Sequence, residues 1–126
     1  MTYFDFNFFS NSKVYFGPGK LNLLPKLVKT YGSDLLLITG SDFFKKTSQW
    51  SVLLKAFESH NITLHHASVK TEPSPSMIDE IVRIHRNHNI RVIVAIGGGS
   101  VLDAGKAVSA MLTKKESVIH YLDDIG

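Results

Sequence analysis

The sequence contains no cysteine and a single tryptophan among its 126 residues. The lack of cysteine excludes a disulfide framework, a thiolate zinc site and a cysteine nucleophile. Long apolar runs are also missing, since the longest, residues 35–38 and 92–96, are far shorter than the roughly 20 residues of a membrane-spanning helix. Asp5 stands where a signal peptide would carry positive charge, and no long apolar segment follows it. We therefore expect a soluble, cytoplasmic protein without a membrane partner.

Clustered charge is absent as well. The chain carries 14 Lys and Arg against 11 Asp and Glu, for a net charge of +3, and no run of basic residues is longer than two. A nucleic-acid interface needs basic residues gathered on one face, so we expect no nucleic-acid partner. The hydrophobic share of 44% is typical of globular proteins and suffices for one core. Residues 1–126 are therefore expected to form one domain.

Two kinds of hydrophobic pattern alternate along most of the chain. Continuous apolar runs predict buried strands at residues 35–39 and 91–96, with a weaker strand at 62–69. Apolar residues at helical spacing predict helices before, between and after these strands, the last one over residues 101–112. Alternation of this kind is typical of βαβ crossovers, which place helices on both faces of a parallel sheet. The predicted fold is α/β, a doubly wound, mainly parallel, Rossmann-like sheet.

The first seventeen residues are aromatic-rich and predict β-structure. Residues 3–9 and 13–16 are extended in pattern, and Asn11 and Ser12 between them have turn chemistry. We therefore expect an N-terminal β-hairpin. Further along, two starts are open for the third helix: Ser74 before Pro75, or Ser76 with Asp79 three residues later as a capping box.

The most informative segment is GGGSVLDAGK, residues 97–106, in which a buried strand leads through three glycines into a helix. Glycine lets a phosphate approach the backbone, and the first N–H groups of a helix suit an anion. Gly97, Gly98 and Gly99 therefore predict a diphosphate site, and Ser100 would add a hydroxyl at the N-cap. A turn that merely caps the helix is the less favoured interpretation, because three glycines cost conformational entropy on folding.

Asp103 lies one turn into the same helix, three residues before Lys106. One interpretation is structural, since an acidic residue near a helix N-terminus and an i, i+3 ion pair both stabilise a helix slightly. In the other interpretation, Asp103 faces the nicotinamide end of a bound dinucleotide or the reacting group, because a carboxylate is poorly placed beside phosphates. Local sequence favours neither.

A second candidate site follows the first predicted parallel strand, at Gly40, Ser41 and Asp42. If the chain runs outward from that strand first one way and then the other, this turn lies beside residues 97–100, at a topological switch point where ligands bind. An NAD-selective site often has an acidic residue at such a strand end. Gly40 occupies that position, with Lys45 and Lys46 nearby, so NADP(H) is favoured over NAD(H) despite Asp42.

Six histidines raise the possibility of a metal site. His85 and His88 are three apart on a predicted helix, but no carboxylate one turn away completes a ligand set. His65 and His66 lie on a strand and should point to opposite faces. We therefore predict structural or surface histidines and no metal ligand in this chain.

Several segments together resemble one family. Residues 97–106 resemble the GGGSxxDxxK signature of iron-containing (group III) alcohol dehydrogenases. In the same order, FGPG at 16–19 is similar to the early FGxG, EPSP at 72–75 to a PNP segment, and HYLDDIG at 120–126 to DYLExxG. The resemblance implies a nicotinamide-dependent oxidoreductase that interconverts alcohols with aldehydes or ketones, and commonly a homodimer.

The resemblance also implies roles for particular residues. The family's N-terminal α/β domain binds NADP or NAD, and its all-helical C-terminal domain holds iron or zinc through one Asp and three His. None of the histidines here corresponds to those ligands. The residues expected to bind the cofactor are Gly98, Gly99 and Ser100 at the pyrophosphate, Gly97 beside them, Asp103 near the nicotinamide, Gly40 and Ser41 by the adenosine ribose, and Ser74 in place of an Asn.

Family members are much longer than this chain. We therefore expect an N-terminal dinucleotide-binding domain that cannot catalyse hydride transfer alone, because the metal that polarises the carbonyl has no site in it. Two alternatives stay open: a stand-alone nucleotide-binding module, and a relative of glycerol dehydrogenases or dehydroquinate synthases.

Overall fold

The computed structural model describes residues 12–16, 23–40, 48–112 and 117–122. Strands and helices alternate through these residues. In chain order they are β1 (Ser12–Phe16), α1 (Leu24–Tyr31), β2 (Asp34–Thr39), α2 (Ser48–Ser59), β3 (Thr63–Ser68), α3 (Pro75–His85), β4 (Val92–Ile96), α4 (Gly99–Leu112) and β5 (Ser117–Leu122). None of the helices in the described part of the chain has the length and apolar character needed to cross a membrane.

The five strands form one parallel sheet in the order β1-β5-β4-β2-β3. The chain runs from β2 outward to β3, crosses back over β2 to β4, and continues outward to β5. This path confirms the predicted doubly wound α/β fold. It also makes β2 and β4 neighbours, with Thr39 in register with Ile96 at their carboxyl ends.

Two hydrophobic cores cover the two faces of the sheet. One face packs α1 and α2 against alternate residues of β2 and β4, including Leu35 and Leu37. The other packs α3 and α4 against the residues between them, including Leu36 and Ile38. Both faces are covered, which explains why β2 and β4 are continuous apolar runs instead of alternating with polar residues.

Local chemistry sets the start of α3. The side-chain oxygen of Ser74 accepts a hydrogen bond from the backbone N–H of Met77 at 3.2 Å, and Pro75 follows in the first helical position. Ser74 is therefore the N-cap, and the alternative start at Ser76 is wrong. Proline suits this position because the first helical N–H has no intrahelical partner to lose.

The amino-terminal strand is in place, but its described neighbour was not predicted. β1 confirms the strand expected at residues 13–16, and it pairs in parallel with β5, Val14 facing His120 in register. Residues 3–9, the other half of the predicted hairpin, lie outside the described residues. β5 had no predicted counterpart. The homodimer that the family resemblance implies stays a prediction.

Candidate dinucleotide site

The switch point of the sheet lies where β2 and β4 end side by side. Because Thr39 and Ile96 are in register, the residues that follow them, Gly40 and Gly97, leave the sheet together. A Cβ on Gly40 would lie 3.5 Å from Cγ2 of Val101, and one on Gly97 would lie 2.7 Å from the same atom. The two predicted turns therefore adjoin, as the sequence indicated, with Val101 beneath both.

The three consecutive glycines have different surroundings. Gly97 has φ of 154°, a conformation that glycine favours, and its backbone packs against buried Val101. Gly98 and Gly99 are exposed, and a Cβ on either would meet no heavy atom within 4 Å. Gly97 is thus required by the fold, whereas at Gly98 and Gly99 the absence of a side chain leaves the backbone open to a ligand.

Helix α4 begins earlier than the sequence suggested. Its first residue is Gly99, not Val101, and the N–H of Leu102 donates to the carbonyl of Gly98 at 3.1 Å. Gly98 is therefore the N-cap, and Ser100 is the second residue of the helix. The prediction of Ser100 as the cap is wrong, but its hydroxyl remains in the first turn.

The hydroxyl of Ser100 has an acidic partner that the sequence analysis did not single out. Its Oγ donates a hydrogen bond to Oε1 of Glu72 at 3.2 Å. Glu72 is exposed and lies in the segment between β3 and α3. This contact brings that segment to the N-terminus of α4, and it places a negative charge where an anion is expected to bind.

Replacing Glu72 with glutamine is expected to raise the affinity for NADPH and NADH several-fold. The substitution keeps a hydrogen-bond acceptor for Ser100 but removes a charge that repels a diphosphate, an effect worth about 1 kcal/mol per pair of charges about 4 Å apart in water, and less at high salt. Calorimetric titration at two salt concentrations measures it, and the gain should shrink as salt rises. Glu58→Gln, at an exposed position near the opposite end of β3, is the matched control and should change nothing. An equal gain in both variants would contradict the placement of the anion.

The remaining predicted site residues lie along the same edge, or outside the described residues. A hydrogen bond joins the ends of β2 and β3, in which the Ser68 hydroxyl donates to the backbone carbonyl of Gly40 at 2.7 Å. Ser74 caps α3 in the segment that also holds Glu72, and Asp103 is exposed on the second turn of α4. Ser41, Asp42 and both lysines at 45 and 46 fall outside the part of the chain that the structure describes.

His65 and His66 lie on opposite faces of the sheet, which confirms the prediction for this pair. His66 does face the α1 and α2 side of the sheet, where its Nε2 lies 2.8 Å from Oγ1 of Thr39. His65 faces the other side, and there it meets His85 and His88, so that one nitrogen from each lies within 4.8 Å of the others. The sequence analysis considered His85 and His88 as a pair and missed this third ring, which comes from a different element.

Among these three rings, His85 is the buried one. Burial lowers the pKa of His85, and the neighbouring rings of His88 and then His65 lower it further. His85 is therefore neutral at pH 7. His65, His85 and His88 sit near the amino ends of β2 and β3, whereas Gly40 and Gly97 follow the carboxyl ends of β2 and β4, so the cluster is separate from the glycine turn.

The fold and this geometry define an α/β domain with an exposed, glycine-rich turn at the switch point of a parallel sheet. Residues 11–125 match the sequence profile of the iron-containing alcohol dehydrogenases. The chain therefore belongs to the iron-containing alcohol dehydrogenase family.

Individual relatives agree with this assignment. The chain is 32% identical over 107 residues to a probable NADH-dependent butanol dehydrogenase of Bacillus subtilis, covering 84% of this chain and 28% of that protein. It is 25% identical over 114 residues to the NADPH-dependent aldehyde reductase YqhD of Escherichia coli, covering 90% and 29%. Its fold superposes with a TM-score of 0.71 on an archaeal alcohol dehydrogenase from a Red Sea brine pool, at 27% identity over 83% of this chain and 27% of that one. The chain thus spans under a third of the length of each.

Proposed function

We propose that this chain binds a nicotinamide dinucleotide as the cofactor-binding part of an alcohol dehydrogenase that acts on a small alcohol or aldehyde. The observation that carries the proposal is the exposed pair Gly98 and Gly99 at the N-terminus of α4, beside Gly40 at the switch point. Family membership supports it, as do relatives whose names include NADH and NADPH.

Physical chemistry explains why a diphosphate suits this turn. The first N–H groups of a helix lack intrahelical partners, and the helix dipole places positive potential there. Phosphate oxygens accept hydrogen bonds from such groups when no side chain intervenes. Open space over Gly98 and Gly99 provides that access, and the Ser100 hydroxyl adds a donor once it turns from Glu72. The residues of this turn thus fit the diphosphate group of a dinucleotide.

The other site residues would orient the cofactor along the same edge. Gly40 and Ser41 would lie by the adenosine ribose, Asp103 near the nicotinamide, and Ser74 close to the cofactor in place of the family's Asn. The bound nicotinamide would supply the hydride acceptor or donor, while the chain supplies binding and orientation.

The family's catalytic metal does not fit the described residues. The only described group of three or more candidate ligands is His65, His85 and His88. Its strand residue, His65, lies three residues, or about 10 Å, before the carboxyl end of β3, so the cluster is separate from the glycine turn. We therefore derive no catalytic step through it, and we propose that residues 1–126 alone bind the cofactor without oxidising alcohols.

Calorimetric titration of the chain with NADPH and NADH tests the proposal directly. We expect one binding site per chain, and ADP-ribose, which keeps the diphosphate but lacks the nicotinamide, should compete for it. If neither cofactor gave a measurable heat of binding at millimolar concentration, the assignment of the glycine turn would be overturned.

The choice between NADP(H) and NAD(H) depends on the end of β2. Gly40 carries no carboxylate to repel a 2′-phosphate, which favours NADPH, whereas the Bacillus relative is named for NADH. Gly40→Asp is expected to shift the ratio of the two dissociation constants at least about fivefold toward NADH, since a new charge beside a phosphate costs on the order of 1 kcal/mol or more. Gly40→Ala is the matched control, because its Cβ makes only an ordinary 3.5 Å contact with Val101. Equal ratios in the two variants would refute the placement of the ribose.

A further inference from the structure

Three imidazole rings converge on the face of β3 that is covered by α3. His65 is in register with Leu36, whose side chain belongs to the core on that face. His85 ends α3 and His88 lies in the turn after it, three residues on, so both project from the same side. The rings of His65 and His88 stack with centroids 4.5 Å apart, and His85 stands edge-on to His88 at 5.2 Å.

The nitrogen atoms of these rings have the spacing of a metal ligand set. One nitrogen from each histidine lies within 4.8 Å of the other two, and Nδ1 of His85 is 3.1 Å from Nδ1 of His88. Two nitrogens bound to one tetrahedral zinc ion at 2.0–2.1 Å are about 3.3 Å apart. The His85–His88 pair thus already has this separation, and His65 needs to approach by at most about 1.5 Å.

The cluster also contains a buried nitrogen atom without a hydrogen-bond partner. Nε2 of His65 is buried and forms no hydrogen bond, although buried side-chain polar atoms normally do. Oδ1 of Asp34 is 3.5 Å from this nitrogen, which is too long for a good hydrogen bond. A cation beside the rings would satisfy this nitrogen, and the Asp34 carboxylate would balance its charge.

We propose that His65, His85 and His88 bind a divalent transition-metal ion, and we expect zinc, at the end of the sheet opposite the glycine turn. Imidazole nitrogen favours zinc, nickel and copper over magnesium or calcium, which prefer oxygen ligands. Such an ion would tie the edge strand β3 to the carboxyl end of α3. Since His88 is exposed, the ion could enter from solvent without unfolding the domain.

The test is a titration of the whole chain, first freed of metal with a chelator, with Zn²⁺, Co²⁺ and Mg²⁺. We expect one Zn²⁺ per chain, visible absorption from Co²⁺ in a tetrahedral site, a rise in melting temperature with Zn²⁺, and no response to Mg²⁺. The absence of one-to-one Zn²⁺ binding at micromolar protein concentration would overturn the proposal.

Two variants and a control connect the binding to these rings. His88→Ala alters an exposed turn, and His65→Phe keeps the stacked ring but removes both nitrogens. Loss of a residue that only hydrogen-bonds a metal ligand weakens metal binding by roughly 10- to 100-fold. Each of these variants removes a ligand itself and should weaken Zn²⁺ binding by more than that. His60→Ala, outside the cluster, should bind Zn²⁺ as the parent chain does, and cofactor affinity should be equal in all variants. Unchanged Zn²⁺ affinity in both cluster variants, or equal loss in His60→Ala, would contradict the site.

Discussion

Replacing Gly98 with valine is expected to abolish binding of NADPH and NADH while the domain stays folded. A Cβ at this position meets no atom of the protein, so the new side chain would stand in the space that a diphosphate needs. Loss of two or three hydrogen bonds to a charged group, each worth about 1.5–3 kcal/mol, corresponds to more than a hundredfold in the dissociation constant. Calorimetric titration of the variant measures it.

The control for this experiment lies on the same helix. Ala110→Val gives the same isopropyl side chain at an exposed position near the carboxyl end of α4 and should leave cofactor affinity unchanged. Gly98→Val itself should lose only about 1 kcal/mol of unfolding free energy, because valine is a poorer N-cap than glycine. Cofactor binding that survives in a folded Gly98→Val variant would rule out a diphosphate at this turn.

One residue earlier, the same kind of substitution should act on the fold instead. Gly97→Ala is expected to lower the free energy of unfolding by about 2–6 kcal/mol. A φ of 154° strains any L-residue by roughly 1–3 kcal/mol. The new Cβ would also lie 2.7 Å from Cγ2 of buried Val101, and overpacking of this kind costs about 1–3 kcal/mol. Urea denaturation followed by circular dichroism measures the change.

Gly99→Ala provides the comparison for Gly97→Ala. Gly99 is the first residue of α4 and has open space around it, so alanine there should leave the stability unchanged or raise it by less than about 1 kcal/mol. The same substitution would then lower the free energy of unfolding at Gly97 and leave it unchanged or raise it at Gly99. Similar losses at both positions would mean that the packing of Val101 does not distinguish them.

Much of the fold was predictable because its central strands are buried on both sides. The apolar runs of β2 and β4, and the crossovers between strands, carried enough information to predict a doubly wound sheet and the meeting of Gly40 with Gly97. β5 was missed because Ser117–Leu122 mixes polar and apolar residues without a clean period, and its pairing with β1 depends on contacts remote in sequence.

The site was predictable where the chemistry is local, and not where it depends on side chains from different elements. Three glycines before a helix predict an anion site from the sequence, but only the structure separates Gly97, which packs on Val101, from its exposed neighbours. Likewise, no spacing in the sequence connects Ser100 to Glu72. The meeting of His65 with His88 depends on how β3 faces the end of α3, which periodicity alone does not specify.

The pairing of β1 with β5 has a consequence for synthesis. Val14 faces His120, so the amino-terminal strand must wait for a partner that emerges from the ribosome 106 residues later (120 minus 14). At about 5–20 residues per second, that delay is on the order of 5–20 s. During this time β2, β3 and β4 can already assemble, while the edge of β1 that will pair with β5 still lacks that strand. Nascent chains halted before β5 should therefore expose this strand to chaperones.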